Sequence, residues 1–345
     1  MSVRKAIVTG ALGQDGALLS SALVGAGYSV VGTRGKRSSN SVARLEELSI
    51  FGDPKLSIVE LDLENSSEVI DFIQESRPEL FFNLASHSFV ADSASSPQQT
   101  TMVSAVAVVN ILEAMSKVSR KTRFFQAGSS EMFGDSAHSP QNEDSSFVPR
   151  NVYGSAKVFA HHIAKNYREN AGLFAAAGIL YNHESPLRAP QFVTRKISSS
   201  VAQISLGVEQ ELNLGNLSAI RDWGYAPEYV AGMMQILEHS EPDTFVLATG
   251  RGASVREFVR LAFQVIGVEV KFEGDGLEER GFDERTGRTL VSVDPKHFRP
   301  DEEVPLIGDA SKAKKLLGWE AKTQLSEIVR IMVESDIKNL ANRNA

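Results

Sequence analysis

Cysteine is absent from all 345 residues of this chain. That excludes disulfides, thiolate metal sites and cysteine nucleophiles together, and it fits a reducing compartment. Uninterrupted apolar runs of membrane-spanning length are missing too, and Lys5-Ala6-Ile7-Val8-Thr9 already reads as a strand where a signal peptide would stand. Nor is there a surplus of positive charge: 36 Lys and Arg face 43 Asp and Glu, for a net charge of −7. Nucleic acid and acidic membranes are therefore poor partners, and an anionic small substrate needs a local basic pocket. No His-x3-His pair occurs, and the neighbours His161 and His162 point about 100° apart on a helix, so no metal site is expected. A cytoplasmic, soluble protein is the expectation.

What is present is an ordinary globular composition, 42% hydrophobic and 23% charged. At this length one core is usually exceeded, so two domains or lobes are expected. The stretch Arg123 to Lys157 organises the rest. Arg123-Phe124-Phe125-Gln126-Ala127 is the apolar run of a buried parallel strand, and Gly128 closes it. If Ser129 and Glu131 continue that strand, two apart, they share a face. Tyr153 and Lys157 share a face four apart on a helix. Chance alone produces Tyr-x3-Lys pairs, but of the six tyrosines only Tyr153 has a lysine four residues on. A hydroxyl, a carboxylate, a phenol and an ammonium at one strand end suit proton and hydride transfer at a carbinol carbon, with one further acid–base step.

The first sixteen residues carry a second signal. Gly10, Gly13 and Gly16 stand at three-residue spacing between a strand and the helical run Ala17 to Val24, with Gln14 and Asp15 inside the loop. Glycine lets the backbone approach a pyrophosphate, and the helix N-terminus offers unpaired N–H groups. The second strand, Tyr28 to Gly32, should end at the adenine ribose. An acidic residue there would favour NAD, but Thr33-Arg34-Gly35-Lys36-Arg37-Ser38-Ser39 follows, so Arg34 and Arg37 point to a 2′-phosphate and NADP. The third and fourth strands, Leu56 to Leu61 and Leu80 to Leu84, lead into Asp62-Leu63 and Ala85-Ser86-His87-Ser88. Beyond the sixth strand, Ala175 to Tyr181, two prolines mark the chain leaving the sheet. Asn182, Arg188, Lys196, Arg221 and Arg299 are the groups available for a substrate diphosphate. Ser254 to Glu257 is a capping box opening a helix.

With these residues the chain resembles an extended short-chain dehydrogenase/reductase, and most of all the GDP-mannose 4,6-dehydratases. The resemblance runs nearly end to end, through Gly10–Gly16, Ser129-Ser130-Glu131-Met132-Phe133-Gly134, Asn182-His183-Glu184-Ser185-Pro186, Phe192–Ile197, Arg221-Asp222-Trp223-Gly224 and Asp294–Pro300. It implies an α/β fold: a Rossmann-type doubly wound parallel sheet with a smaller, mixed α/β C-terminal substrate-binding lobe. The NADP-binding domain would span residues 1–183 and about 224–250, and the sugar-nucleotide lobe about 184–223 and 251–345. Asp62, Leu63, Leu84, Ala85, Ser86, His87, Ser88, Tyr153, Lys157, His183 and Arg188 match cofactor positions. Ser88, Ser129, Glu131, Asn182, Val193, Lys196, Arg221, Arg299 and Glu302 match substrate positions. The resemblance also implies homodimers or homotetramers.

The implied reaction is an internal redox cycle on GDP-mannose. Tyr153, as phenolate, takes the 4-hydroxyl proton while hydride leaves C4, and Ser129 bonds the reacting oxygen. A free tyrosine pKa of about 10 is too high for this, so Lys157 and the positive nicotinamide are expected to favour the phenolate. Glu131 removes the C5 proton and protonates the departing 6-hydroxyl, and hydride returns to C6. Leu187-Arg188-Ala189-Pro190 departs from the family pattern by lacking the first Arg and the acidic residue usual there. Another GDP-sugar, such as a GDP-heptose, is therefore an alternative substrate. A nucleotide-sugar 4-epimerase or 4-reductase is the alternative within enzymes, and an NADP-sensing binding protein is the alternative outside them.

Overall fold

The computed structural model describes residues 4–36, 41–298 and 305–344. The chain opens by alternating strand and helix: β1 (Lys5–Thr9), α1 (Gln14–Gly25), β2 (Ser29–Arg34), α2 (Ala43–Glu47), β3 (Leu56–Glu60), α3 (Ser66–Ser76) and β4 (Leu80–Asn83). The short helices α4 (Val90–Ser95) and α5 (Pro97–Thr101) follow. From α5 the chain passes through a π-turn at Met102–Val106 into α6 (Ala107–Val118). Next come β5 (Arg123–Ala127), α7 (Val152–Ala171), β6 (Ala175–Leu180), β7 (Asn182–Glu184), α8 (Val193–Ser205), β8 (Leu212–Leu214), β9 (Ile220–Tyr225), α9 (Ala226–Glu238) and β10 (Thr244–Leu247). The remainder is β11 (Gly252–Ser254), α10 (Val255–Val265), β12 (Val270–Glu273), β13 (Arg280–Asp283), β14 (Thr289–Val293), α11 (Ser311–Leu317) and α12 (Leu325–Asn344).

Seven strands form one parallel sheet in the order β10-β6-β5-β4-β1-β2-β3. Its central strands are apolar on both faces because helices cover both. Phe82 and Phe125 pack toward α1 and α9, while their neighbours Phe81 and Phe124 pack toward α3, α6 and α7. Each pair meets with ring centroids 5.9 Å apart. This is the Rossmann-type doubly wound sheet expected from the sequence. The continuous helix Pro97–Val118 is long and apolar enough to cross a membrane by length and composition. In the fold, however, its Val108, Ile111, Leu112 and Met115 are buried against α3 and α7.

Two smaller sheets stand apart from the large one. One is β11-β9-β7, and the other is β12-β13-β14-β8. A separate apolar core holds the second of these to α8, α10 and α12, through Ile197, Val201, Phe258, Phe263, Ile328 and Met332. Ser254 caps α10 by accepting from the Glu257 N–H at 3.1 Å, as the sequence predicts. Asp222 on β9 joins the parts. Its buried carboxylate accepts from the Thr249 N–H and hydroxyl and from the Gly250 and Gly308 N–H groups, at 2.7–3.2 Å.

The site follows from the strand order. Strands β1 and β4 are neighbours, yet the chain leaves β1 for β2 on one side and continues from β4 to β5 on the other. Loops at their carboxyl ends therefore diverge and leave a crevice.

Candidate active site

A cavity of about 1360 Å³ opens at this crevice. Gly10, Gly13, Gln14, Asp15, Gly16, Arg34, Asp62, Leu63 and the whole run Leu84 to Ser88 line one part of it. Ser129, Glu131, Tyr153 and Lys157 line its middle, and Asn182, His183, Arg188, Val193, Lys196 and Arg221 line the rest. Arg37, Arg299 and Glu302 lie outside the described residues. The remaining residues singled out from the sequence thus come together around one space.

The loop after β1 is shaped for close approach of a ligand to backbone. Gly10 sits at φ +69°, and a Cβ on Gly16 would lie 2.2 Å from the Gly10 carbonyl oxygen. Only glycine fits there, and α1 begins directly behind it with its N–H groups facing the cavity. These residues fit a dinucleotide pyrophosphate. Gln14 anchors the loop to the far side of the crevice: its amide donates to the His183 carbonyl at 3.0 Å and accepts from the Ser185 hydroxyl at 2.9 Å. His183 Nε2 is 3.0 Å from Asp15 Oδ2, and Nδ1 meets the Tyr181 carbonyl at 2.6 Å. Burial alone would raise the Asp15 pKa, but His183 outweighs it and brings Asp15 down to about 2. Burial likewise works against a charged His183, and Asp15 reverses this, leaving His183 raised.

At the ribose end the basic loop is less free than its sequence suggests. Arg34 pairs with Glu60 at 3.0 Å, and Lys36 stands 3.6 Å from both Asp62 and Glu68. Asp62 also accepts from the Glu64 N–H at 3.0 Å. Acids from β3 and α3 therefore offset two of the three cations read from the sequence.

At the catalytic end the strand argument needs correction. β5 stops at Ala127, and Ser130–Met132 forms a 3₁₀ turn, so Ser129 and Glu131 do not share the face of a strand. Ser129 instead opens the turn, its hydroxyl accepting from the Glu131 N–H at 3.3 Å. Both side chains still border the cavity. Helix α7 presents Tyr153 and Lys157 one turn apart, as expected. Lys157 donates to the Ala127 carbonyl at 2.9 Å. That bond ends a buried polar chain across three strand ends, in which Thr9 donates to Asn83, Asn83 to Gln126, and Gln126 to the Ala127 carbonyl, at 2.8–3.0 Å.

The electrostatics also differ from expectation. Burial pushes the Tyr153 phenol up to about 12, opposed by its hydrogen bond to Ser129. Burial pushes the Lys157 ammonium down to about 8, and Lys157 spends one donor on backbone. Burial, and not Lys157, therefore governs the Tyr153 phenol in the chain by itself, against the expected pull toward a phenolate.

Beyond the sheet, Arg188 lies over the Phe192 ring at 3.6 Å, with Nε 3.1 Å from Glu184 Oε2. Glu184 also accepts from the Thr194 hydroxyl at 2.6 Å. Leu187 is buried. Its carbonyl accepts from Arg44 Nε at 2.7 Å, and the same guanidinium donates to the Leu12 carbonyl at 2.9 Å.

This geometry can be set beside known proteins. A family model for GDP-mannose 4,6 dehydratase matches residues 7–332. The chain belongs to the GDP-mannose 4,6-dehydratase family. It is 42% identical to the GDP-mannose 4,6-dehydratase of Sinorhizobium fredii over 99% of both chains. It is 41% identical to the human GDP-mannose 4,6 dehydratase, over 99% of this chain and 93% of that protein. Among solved structures, the UDP-glucose 4-epimerase of Bifidobacterium longum in complex with NAD+ and UDP superimposes with a TM-score of 0.80 at 20% identity. That match covers 97% of this chain and 99% of the epimerase. The dTDP-glucose 4,6-dehydratase of Bacillus anthracis superimposes with a TM-score of 0.78 at 17% identity, over 98% of both chains. These structural matches show a shared fold.

Several cavity residues of this family member escaped the sequence reading. Arg44 sits on a short helix and reads as a surface cation. Asn151, Lys296 and His297 also border the cavity. Asn151 had a usable signal: an Asn two residues before Tyr153 is a helix cap.

Proposed function

We propose that this protein is a cytoplasmic, homo-oligomeric GDP-mannose 4,6-dehydratase that uses NADP and yields GDP-4-keto-6-deoxymannose without net oxidation. One observation carries the reading: Glu131, Ser129 and Tyr153 border a single cavity, in a chain of this family. A 4-epimerase or 4-reductase needs the hydroxyl and the phenol but no carboxylate acting at C5 and C6.

The glycine loop and the N-terminus of α1 would hold the pyrophosphate of the cofactor, with Asp62, Leu63 and the Leu84–Ser88 loop around the adenine and nicotinamide halves. A nicotinamide cofactor supplies the hydride acceptor at C4, the hydride donor at C6 and, while oxidised, a positive ring charge. The basic stretch Arg34–Arg37 supports NADP over NAD, with Arg34 shared between Glu60 and any 2′-phosphate. Arg188, Lys196, Arg221 and Asn182 supply the cations and amide for the diphosphate of the sugar nucleotide.

Tyr153 takes the 4-hydroxyl proton while Ser129 bonds the same oxygen. Once C4 is a ketone, the C5 proton is acidic, and Glu131 removes it. Glu131 then gives a proton to the 6-hydroxyl, which leaves as water. After hydride reaches C6, a proton supplied by way of Tyr153 restores C5. General acid–base steps of this kind each contribute about 10²- to 10⁴-fold.

The test is mass spectrometry of GDP-mannose incubated with the protein and catalytic NADP. Loss of one water without accumulating NADPH is expected. Glu131→Gln should abolish that loss, whereas a 4-epimerase would tolerate the change. An unchanged GDP-mannose mass together with dehydration of a GDP-heptose would reassign the sugar to the one suited to the Leu187–Pro190 loop.

A further inference from the structure

We propose that Asn151 is the positioning residue for the Glu131 carboxylate, and that it ties this acid–base group to the helix carrying Tyr153 and Lys157. The inference rests on the dehydratase reading above. Asn151 Oδ1 accepts from the Gly154 N–H at 2.8 Å, and Nδ2 donates to Glu131 Oε2 at 2.7 Å. The first bond caps α7. It also fixes which way the amide faces, because the opposite orientation would set oxygen against carboxylate and N–H against N–H.

A second observation concerns the backbone beneath. A Cβ on Gly154 would lie 2.4 Å from the Glu131 carbonyl oxygen. The first turn of α7 therefore rests directly on the turn that carries Glu131, and Asn151 adds a side-chain bond to that backbone contact. Glu131 has three side-chain torsions and stands on a turn of three residues, so its carboxylate needs an outside partner to hold one direction. Asparagine is suited to both tasks at once. Serine and aspartate keep a capping oxygen but carry no N–H to offer Glu131.

The bond also distinguishes the two carboxylate oxygens. Oε2 accepts from Asn151 whether Glu131 is ionised or protonated on its other oxygen. Oε1 is then the atom that takes the C5 proton and passes a proton to the 6-hydroxyl. Asn151 touches neither substrate carbon in this scheme; it sets the aim of the group that does.

Asn151→Ser is the decisive variant, since it keeps a capping oxygen and removes the amide N–H that reaches Glu131, its hydroxyl being shorter and occupied at the cap. In D2O with GDP-mannose, cofactor reduction followed by absorbance reads the C4 step, and deuterium at C5 with loss of water reads the Glu131 step. Cofactor reduction should stay within about threefold of wild type, while C5 exchange and water loss slow by about 10- to 100-fold, the scale of a small misplacement of a reacting group. Reduced cofactor would then accumulate transiently. Equal slowing of both steps, or no slowing of the second, overturns the proposal. Asn151→Ala removes the cap as well and should slow both steps.

A readout independent of turnover is the side-chain amide proton of Asn151 by NMR. It should lie downfield in the wild type and move upfield in Glu131→Gln, where the charge is gone. A resonance unmoved by Glu131→Gln overturns the clamp. A wild type that never reduces its cofactor with a GDP-sugar overturns the dehydratase reading instead and leaves the amide signal to decide this one.

Discussion

The two ends of the cavity are made of different materials. At the pyrophosphate end the surface is backbone, supplied by seven consecutive residues, Gly10 to Gly16, whose shape depends on missing side chains. At the catalytic end it is side chains, brought from Ser129–Glu131, Asn151–Lys157 and Asn182–Arg188; Asn151 bonds Glu131, Lys157 bonds the Ala127 carbonyl, and Ser185 reaches back to Gln14 in the glycine loop. The first end is local in sequence and tolerates no added atoms. The second is assembled by the fold and is tuned by charge and burial.

The sharpest way to test that contrast is to add atoms at the backbone end. Gly16→Val should reduce NADP affinity by more than about 100-fold, because the added Cβ meets backbone atoms of Gly10 and Ala11 and no flexible side chain can yield. Gly35→Ala is the matched control: it lies in the same half of the site, yet its Cβ would meet nothing within 4 Å. It should bind NADP within about twofold of wild type. Calorimetric titration of both variants checks the pair, with circular dichroism confirming that each is folded. Equal losses would mean that the cradle is no more sensitive than any nearby glycine.

The contrast also explains what could be read in advance. The glycine spacing and the Tyr153–Lys157 spacing were legible because each is a short pattern on one element. The Ser129–Glu131 turn was not, since whether a chain extends a strand past Ala127 or folds into a 3₁₀ turn depends on a single hydroxyl and on α7 pressing from above. Nor was the state of Lys157, whose partner, the Ala127 carbonyl, is thirty residues away in sequence. The basic loop misled in the same manner. Its cations were visible, but the carboxylates of Glu60, Asp62 and Glu68 that face them come from the next strand, the loop after it and the next helix.

Asp15 and His183 join the two ends, and their pair gives an intermediate effect with a pH signature. Asp15 is held down to about 2, so its contribution to stability is present above the ordinary aspartate range and is lost as pH falls through about 2. His183 is raised, so its contribution is full below the ordinary histidine range and is lost as pH rises through its folded value. The folded pair therefore keeps both charges from about pH 2 to above the ordinary histidine range, and its stabilisation is full between the unfolded values, about pH 4 and 6.5. Asp15→Asn should therefore lower Tm most in that window, by about 2–8 °C, and progressively less in more alkaline buffer. A Tm difference that is flat or growing toward high pH would show that the pair does not hold opposite charges.

The smallest effect belongs to Lys36, where the contrast should fade. Its ammonium is about half exposed and faces Asp62 and Glu68 at 3.6 Å, so much of its charge is offset before any phosphate arrives. Exposed pairs of this kind contribute little and weaken with salt. Lys36→Gln should therefore lower the preference for NADP over NAD by no more than about fivefold, and by less at high ionic strength. Asp62→Asn removes one of the competing acids and should move the preference the other way. A loss of about 100-fold in Lys36→Gln would mean that the lysine abandons both carboxylates for the 2′-phosphate. The ribose end would then be, like the catalytic end, a site whose charges are set by what they face and not by which residues spell the loop.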